Sequence, residues 1–100
     1  MILYNLTVNI DKQVEREWLK WMRGEHIPAV MATGLPQEYK ILHLLTEIDN
    51  NGATYTFQYT FSSKLDFFRF QKYHSDELLG QIQQRYGSQY VTFQSLLEEV

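Results

Sequence analysis

Residues 54–61, TYTFQYTF, alternate without exception: Tyr55, Phe57, Tyr59 and Phe61 fall on one side, Thr54, Thr56, Gln58 and Thr60 on the other. Successive side chains of a strand point to opposite faces, so so strict a period of two commits the segment to β-structure. The resulting sheet has an aromatic face that must be covered and a second face of uncharged polar groups. The N-terminal segment repeats the pattern, with Ile2, Tyr4, Leu6, Val8 and Ile10 on one side and Leu3, Asn5, Thr7 and Asn9 on the other. Two such strands require a layer of helices over their apolar side.

From Lys12 the period lengthens. Val14, Trp18, Trp21 and Met22 recur at helical spacing, with Glu15, Arg16, Glu17 and Lys20 between them. Asp11 is the expected N-cap, Gly24 the expected end of this helix, and Pro28 the first turn of a short second helix that stops at Gly34. Residues 39–48 and 53–61 predict two strands joined by a hairpin turn at Asp49-Asn50-Asn51-Gly52, where Asn and Gly tolerate positive φ. Ser63-Lys64-Leu65-Asp66 has the form of a capping box with Asp in the acidic position. It opens a helix through Phe67, Phe68, Phe70 and Tyr73, with Ser75 or Asp76 as a second cap. Leu78, Leu79, Ile82 and Tyr86 then lead to a stop at Gly87, and residues 89–97 predict the last strand.

Strand, helix, hairpin, helix, strand is the split β-α-β arrangement. Right-handed crossovers order its antiparallel sheet 4-1-3-2, with both helices on one face, a ferredoxin-like α+β fold. At 100 residues and 44% hydrophobic content, with no linker or repeat, residues 1–100 are expected to form a single domain. The eight residues that the central strands leave uncovered carry no charge. A solvated sheet face usually collects Lys and Glu, and a dry interface is mostly Val, Ile and Leu. Asn, Thr and Gln suit a wall that is covered yet hydrogen-bonded, most simply closed by a second copy of the chain into a dimeric barrel. Asn5, Thr7, Gln58 and Thr60 are therefore the candidate ligand-binding residues. A hairpin loop of two or four residues adds His43 and Glu47 to this face, and one of three or five reverses that.

Several classes of function are disfavoured. The formal charge of -3, without runs of like charge, offers no footprint for nucleic acid. No apolar stretch approaches the ~18 residues of a membrane span, which points to a cytoplasmic protein. The absence of cysteine removes disulfide and thiolate chemistry. No glycine-rich loop follows the first strand, the spacing of His26, His43 and His74 is not that of a metal motif, and no cofactor is called for. His26 and His43 remain as candidate catalytic bases, since an unperturbed imidazole titrates near neutrality. His43 would act from the polar face, whereas His26 would cap the short helix or line the cavity mouth. His74, beside Ser75 and Asp76, reads as surface.

With this order of elements, the sequence Trp18, Trp21, Glu25-His26 and Pro28 leading to Gly34 resembles the dimeric α+β-barrel superfamily over essentially the whole chain. More narrowly, Tyr4-Asn5-Leu6-Thr7-Val8-Asn9-Ile10-Asp11, Glu17-Trp18-Leu19-Lys20-Trp21-Met22 and Glu25-His26-Ile27-Pro28 resemble a bacterial domain of unknown function, DUF4286. The superfamily resemblance implies a homodimer whose two sheets face each other. It also implies a range of activities that includes cofactor-independent monooxygenases and lactone isomerases. Three functions follow as expectations: a homodimer binding a small, partly apolar ligand between its sheets, an isomerase or monooxygenase using His43 or His26 as base, or a structural or regulatory dimer without ligand.

Overall fold

The computed structural model describes residues 1–46 and 51–100. β1 (Ile2–Asp11) and β3 (Gly52–Phe61) lie at the centre of one sheet, flanked by β2 (Pro36–His43) on the β3 side and β4 (Tyr90–Glu98) on the β1 side. Every neighbouring pair is antiparallel. The order β2-β3-β1-β4 is the expected 4-1-3-2 seen from the opposite edge. Two helical runs cross one face, the first made of α1 (Glu15–Trp21) and α2 (Ile27–Ala32), the second of α3 (Lys64–Phe70) and α4 (Asp76–Tyr86).

The alternation of the two central strands builds the core. Ile2, Tyr4, Leu6, Val8 and Ile10 sit directly opposite Phe61, Tyr59, Phe57, Tyr55 and Ala53, and all ten are buried. The helices cover this double row. Trp18 is fully buried, its ring 5.5 Å from that of Tyr55 and 5.6 Å from that of Phe57, while Phe67 and Phe70 close over Tyr4 and Phe61. Contacts of this kind contribute about 0.5–1.5 kcal/mol each beyond the area they bury. Trp21 lies at the helix edge instead, half-buried beneath the Arg85 guanidinium at 5.4 Å.

Three helix signals resolve differently from their sequence reading. Gly24 does not end a helix: it lies within a π-turn, Met22–His26, after which Ile27 donates its N–H to the Met22 carbonyl five residues back. In an α-helix the Pro28 ring would strike the carbonyl four residues earlier, and widening this turn by one residue relieves that clash. A second π-turn, Gln71–Ser75, joins α3 to α4, so Ser75 lies within a continuous run and no side chain is needed as a new cap. Asp11 is the last residue of β1 and its Oδ1 accepts from the Gln13 N–H at 2.9 Å, while Val14 holds the N-cap position without a side-chain bond. Ser63 caps α3 as expected, accepting the Asp66 N–H at 3.2 Å. Gly34 and Gly87 end their helical runs at φ of 77° and 52°, which favours glycine.

The register of β2 against β3 also differs from the favoured expectation. Tyr39, Ile41 and His43 pair with Tyr59, Phe57 and Tyr55, and Leu44 donates to the Thr54 carbonyl in the same register. Odd residues thus face odd residues, as a loop with an odd residue count requires. Ile41 packs against the core, and the gain from placing it on the aromatic row sets the alignment. His43 consequently leaves the polar face, and Glu38, Lys40 and Leu42 occupy that side of β2. Glu47, Asp49 and Asn50 lie outside the described residues.

Replacing Ser63 by Ala should lower stability by about 1 kcal/mol through loss of the cap. Urea denaturation should show a lower midpoint at unchanged slope.

Candidate functional site

The most chemically distinct place in the molecule is under the helices, where four polar side chains meet inside the core. Tyr4 and Tyr59 are cross-strand partners on β1 and β3, so the pairing of the central strands brings their rings together at a centroid distance of 6.2 Å. His26 and Ser75 come from above. Each is the last residue of a π-turn, one in each helical run, and the extra residue of each turn rotates a polar side chain into a position that an uninterrupted helix would give to its apolar stripe. All four are buried, His26 to 2 % exposure. Leu6, Val30, Phe70, Leu78 and Leu79 complete the lining.

The polar atoms are unevenly satisfied. Tyr4 donates its hydroxyl hydrogen to Gln94 Oε1 at 2.7 Å. Among the described residues, neither His26 Nδ1 nor the Tyr59 hydroxyl has a hydrogen-bond partner. A buried polar atom left unpaired costs about 1–3 kcal/mol. Five buried side-chain polar atoms lack a partner among the described residues, and while Asn5 Oδ1, Trp18 Nε1 and the Tyr86 hydroxyl lie elsewhere, these two line one space. The space they enclose measures about 10 Å³, room for one water molecule.

Burial sets the electrostatics of the cluster. It depresses the His26 imidazole from 6.5 to about 4, so the ring is neutral at physiological pH. It raises the Tyr4 hydroxyl to about 12, with a hydrogen bond from Ser75 pulling the other way. The Tyr59 hydroxyl is raised further, by burial first and then by the neighbouring Tyr4 and Tyr39 hydroxyls. The site therefore offers neutral hydrogen-bonding groups in an aromatic surround.

The residues expected at the site divide between two faces. Asn5, Thr7, Gln58 and Thr60 do share the open side of the sheet, as the alternation requires. Thr7 and Thr56 hydroxyls pair across the strands at 2.9 Å, Asn9 Nδ2 donates to Thr54 Oγ1 at 2.9 Å, and Asn5 Oδ1 is buried without a partner among the described residues. His43 is on the other side, exposed, its ring stacked at 4.5 Å and 13° on Tyr55, whose hydroxyl donates to Glu15 Oε2 at 2.5 Å. His26 neither caps α2 nor meets solvent; it is a core residue. Sequence periodicity could not reveal Tyr4, Tyr59 and Ser75 as members of a polar cluster, because Tyr counts as apolar in a strand pattern and Ser75 as a surface or cap residue.

The open side carries one further feature. β4 contributes Val91, Phe93 and Leu97 opposite Asn9, Thr7 and Leu3, and these are 72 %, 64 % and 48 % exposed. Leu42 on β2 and Leu44 just after it are exposed at the other margin. The face is thus a hydrogen-bonded polar centre with an apolar border on β4 and a mixed border of Glu38, Lys40 and Leu42 on β2.

These features define a ferredoxin-like protein with one covered and one open sheet face. Solved structures share that architecture. HapK from Hahella chejuensis superimposes with a TM-score of 0.71 at 8% identity, covering 100% of this chain and 93% of that one. A dimeric ferredoxin-like protein from an uncultured marine organism gives 0.67 at 8% identity, over 99% and 97% of the two chains. A variant of MhuD with two manganese protoporphyrin IX molecules bound per active site gives 0.68 at 11% identity, over 100% and 95%. At these identities the likeness is one of fold. No curated protein matches the chain in sequence. Residues 1–100 match DUF4286, a domain of unknown function, and the chain belongs to that family.

The depressed His26 ties stability to pH. Between its unfolded value of 6.5 and its folded value of about 4, the unfolded chain binds a proton that the folded chain does not. The stability associated with neutral His26 is complete above pH 6.5 and falls as pH drops toward 4, by on the order of 3 kcal/mol. Denaturation midpoints measured from pH 7 to pH 4 should show this loss, and His26→Gln should lack that part of the slope.

Proposed function

We propose that the protein is a homodimer, and that the polar cluster between the helices and the sheet of each protomer, which has room for one water as it stands, widens to take the head group of a small, uncharged, partly aromatic molecule. The observation that carries this reading is the pair of unpartnered buried atoms, His26 Nδ1 and the Tyr59 hydroxyl, at one apolar pocket. A ligand with one hydroxyl or carbonyl group would pair both and recover the cost of leaving them bare. No charged residue lines the pocket, so a carboxylate would enter without compensation.

Binding suits His26 better than proton abstraction. A general base works best with a pKa near the working pH, and burial has taken this imidazole to about 4. The ring is better fitted to hold a hydrogen bond than to carry away a proton. His43, exposed and stacked on Tyr55, has no enclosed surface on which to act.

The open face is the dimer surface in this reading. Val91, Phe93 and Leu97 supply an apolar border that water covers poorly, and Asn5 Oδ1 lacks a donor that a facing strand could provide. Asn5, Thr7, Gln58 and Thr60 then line the space between two sheets. The similarity to proteins described as dimeric ferredoxin-like supports the same assembly.

Analytical ultracentrifugation should give twice the chain mass, and Phe93→Lys, which buries a charge at the border, should give single chains that remain folded. A wild-type monomer at high concentration would remove the dimer. Titration with p-cresol should shift the His26 ring resonances, and His26→Leu should abolish binding. If p-cresol leaves those resonances unmoved, the pocket is only a packing defect.

A further inference from the structure

A groove of about 530 Å³ runs between the two helical runs, with Trp21, Glu25 and Ala29 on the wall of the first and Gln81, Gln84 and Arg85 on the wall of the second. None of these six residues lines the buried polar space, and none belongs to the sheet. The volume falls in the range of about 300–1,000 Å³ usual for small-molecule sites. Two of the six carry charge, and the charges are opposite. Among the described residues no salt bridge joins Glu25 to Arg85 or to any other cation. Arg85 Nη2 instead meets Glu17 Oε1 at 3.9 Å, between side chains 49 % and 66 % exposed, a contact worth little in water.

Arg85 is nonetheless held in place. Its guanidinium lies 5.4 Å from the centre of the Trp21 ring and 6.0 Å from that of Tyr86, two rings that meet edge to face at 5.8 Å. Stacking engages the flat face of a guanidinium and not its N–H edge, so the fork stays available for a carboxylate. Glu25 follows Trp21 by four residues, which at about 1.5 Å per residue sets it about 6 Å farther along the run. The groove therefore presents a fixed cation at the level of Trp21 and an anion about one turn away. A lone anion bound at Arg85 is repelled by Glu25, and a lone cation at Glu25 is repelled by Arg85. A molecule with a carboxylate at one end and an ammonium at the other is matched at both. Trp21 and Ala29 offer apolar contact to the chain between its ends, and the Gln81 and Gln84 amides both donate and accept.

We infer that this groove is a second site, which takes an ω-amino carboxylate: carboxylate on Arg85, ammonium on Glu25, and a short run of methylenes between them. The spacing of the two protein charges selects against α-amino acids, whose ammonium and carboxylate are separated by a single carbon. The site depends on neither the polar cluster nor the dimer, since its residues come from the helices of one chain. Glu25 and Arg85 are both exposed, so replacing either leaves the core intact.

The test is an NMR titration with 5-aminopentanoate, read at the Trp21 indole N–H and the Arg85 Nε–H, beside parallel titrations with glycine, pentanoate and pentylamine at constant ionic strength. The expected result is a saturable shift of both resonances by 5-aminopentanoate, with each of the other three binding about tenfold more weakly, the worth of one charge-assisted hydrogen bond. Glu25→Gln and Arg85→Gln should each weaken 5-aminopentanoate by about the same factor, and each should leave pentanoate and pentylamine, respectively, bound no more weakly than before. Arg85→Lys, which keeps the charge but loses the fork, should not restore wild-type affinity. Glycine or pentanoate binding as tightly as 5-aminopentanoate overturns the two-ended site, as does a Glu25→Gln protein that binds the probe unchanged. Shifts spread over the other lysine and arginine resonances, or no shift at Trp21 and Arg85, overturn it as well.

Discussion

The pairing of β1 with β3 is the constraint on which the rest of this structure depends. Their register sets Ile2, Tyr4, Leu6 and Val8 against Phe61, Tyr59, Phe57 and Tyr55, forming a double row that two helical runs must cover. A slip of one residue would turn the whole row to the open side and bring Thr and Asn under the helices, so the register is strongly specified. The same alignment places Tyr4 beside Tyr59 in the buried polar cluster.

The two π-turns complete that chemistry from above. Each inserts one residue into a helical run, and each ends on a polar side chain, His26 or Ser75, directed at the tyrosine pair. Folded proteins are stable by only about 5–15 kcal/mol, so a cluster containing two unpaired buried atoms uses an appreciable part of that margin. Irregular turns and unsatisfied polar groups coincide at this place, and that coincidence is the ground for reading the cluster as a site.

The two sheet faces divide the work. The covered face is aromatic and encloses the polar cluster, while the open face pairs its own Thr and Asn side chains across the strands and leaves Val91, Phe93 and Leu97 in water. Glu38 and Lys40 on the β2 margin mark an edge strand that resists indiscriminate pairing. The β4 border carries Val91, Phe93 and Leu97 in place of such charges, so the two margins of the open face differ in character.

The order of elements, the sheet topology, the two-sided character of β1 and β3, the Ser63 cap and the glycine stops at Gly34 and Gly87 were all legible in the sequence, because each follows from local periodicity or from φ preferences. Gly24 and Ser75 resolve differently for a related reason: the local marks of a π-turn, such as Gly24 followed by Pro28, are the same ones that mark a helix end and a new start. The side of the sheet that His43 occupies depended on the residue count of a turn and on whether Ile41 or Leu42 packs better beneath the helices, which only the assembled core decides. The site was hidden more deeply, since Tyr4, His26, Tyr59 and Ser75 are far apart in sequence and none looks exceptional alone. Sequence by itself determined which faces are apolar, since that is a matter of spacing. Tertiary structure decided which polar atoms would be buried together without partners, since that depends on where strands and helices from opposite ends of the chain converge.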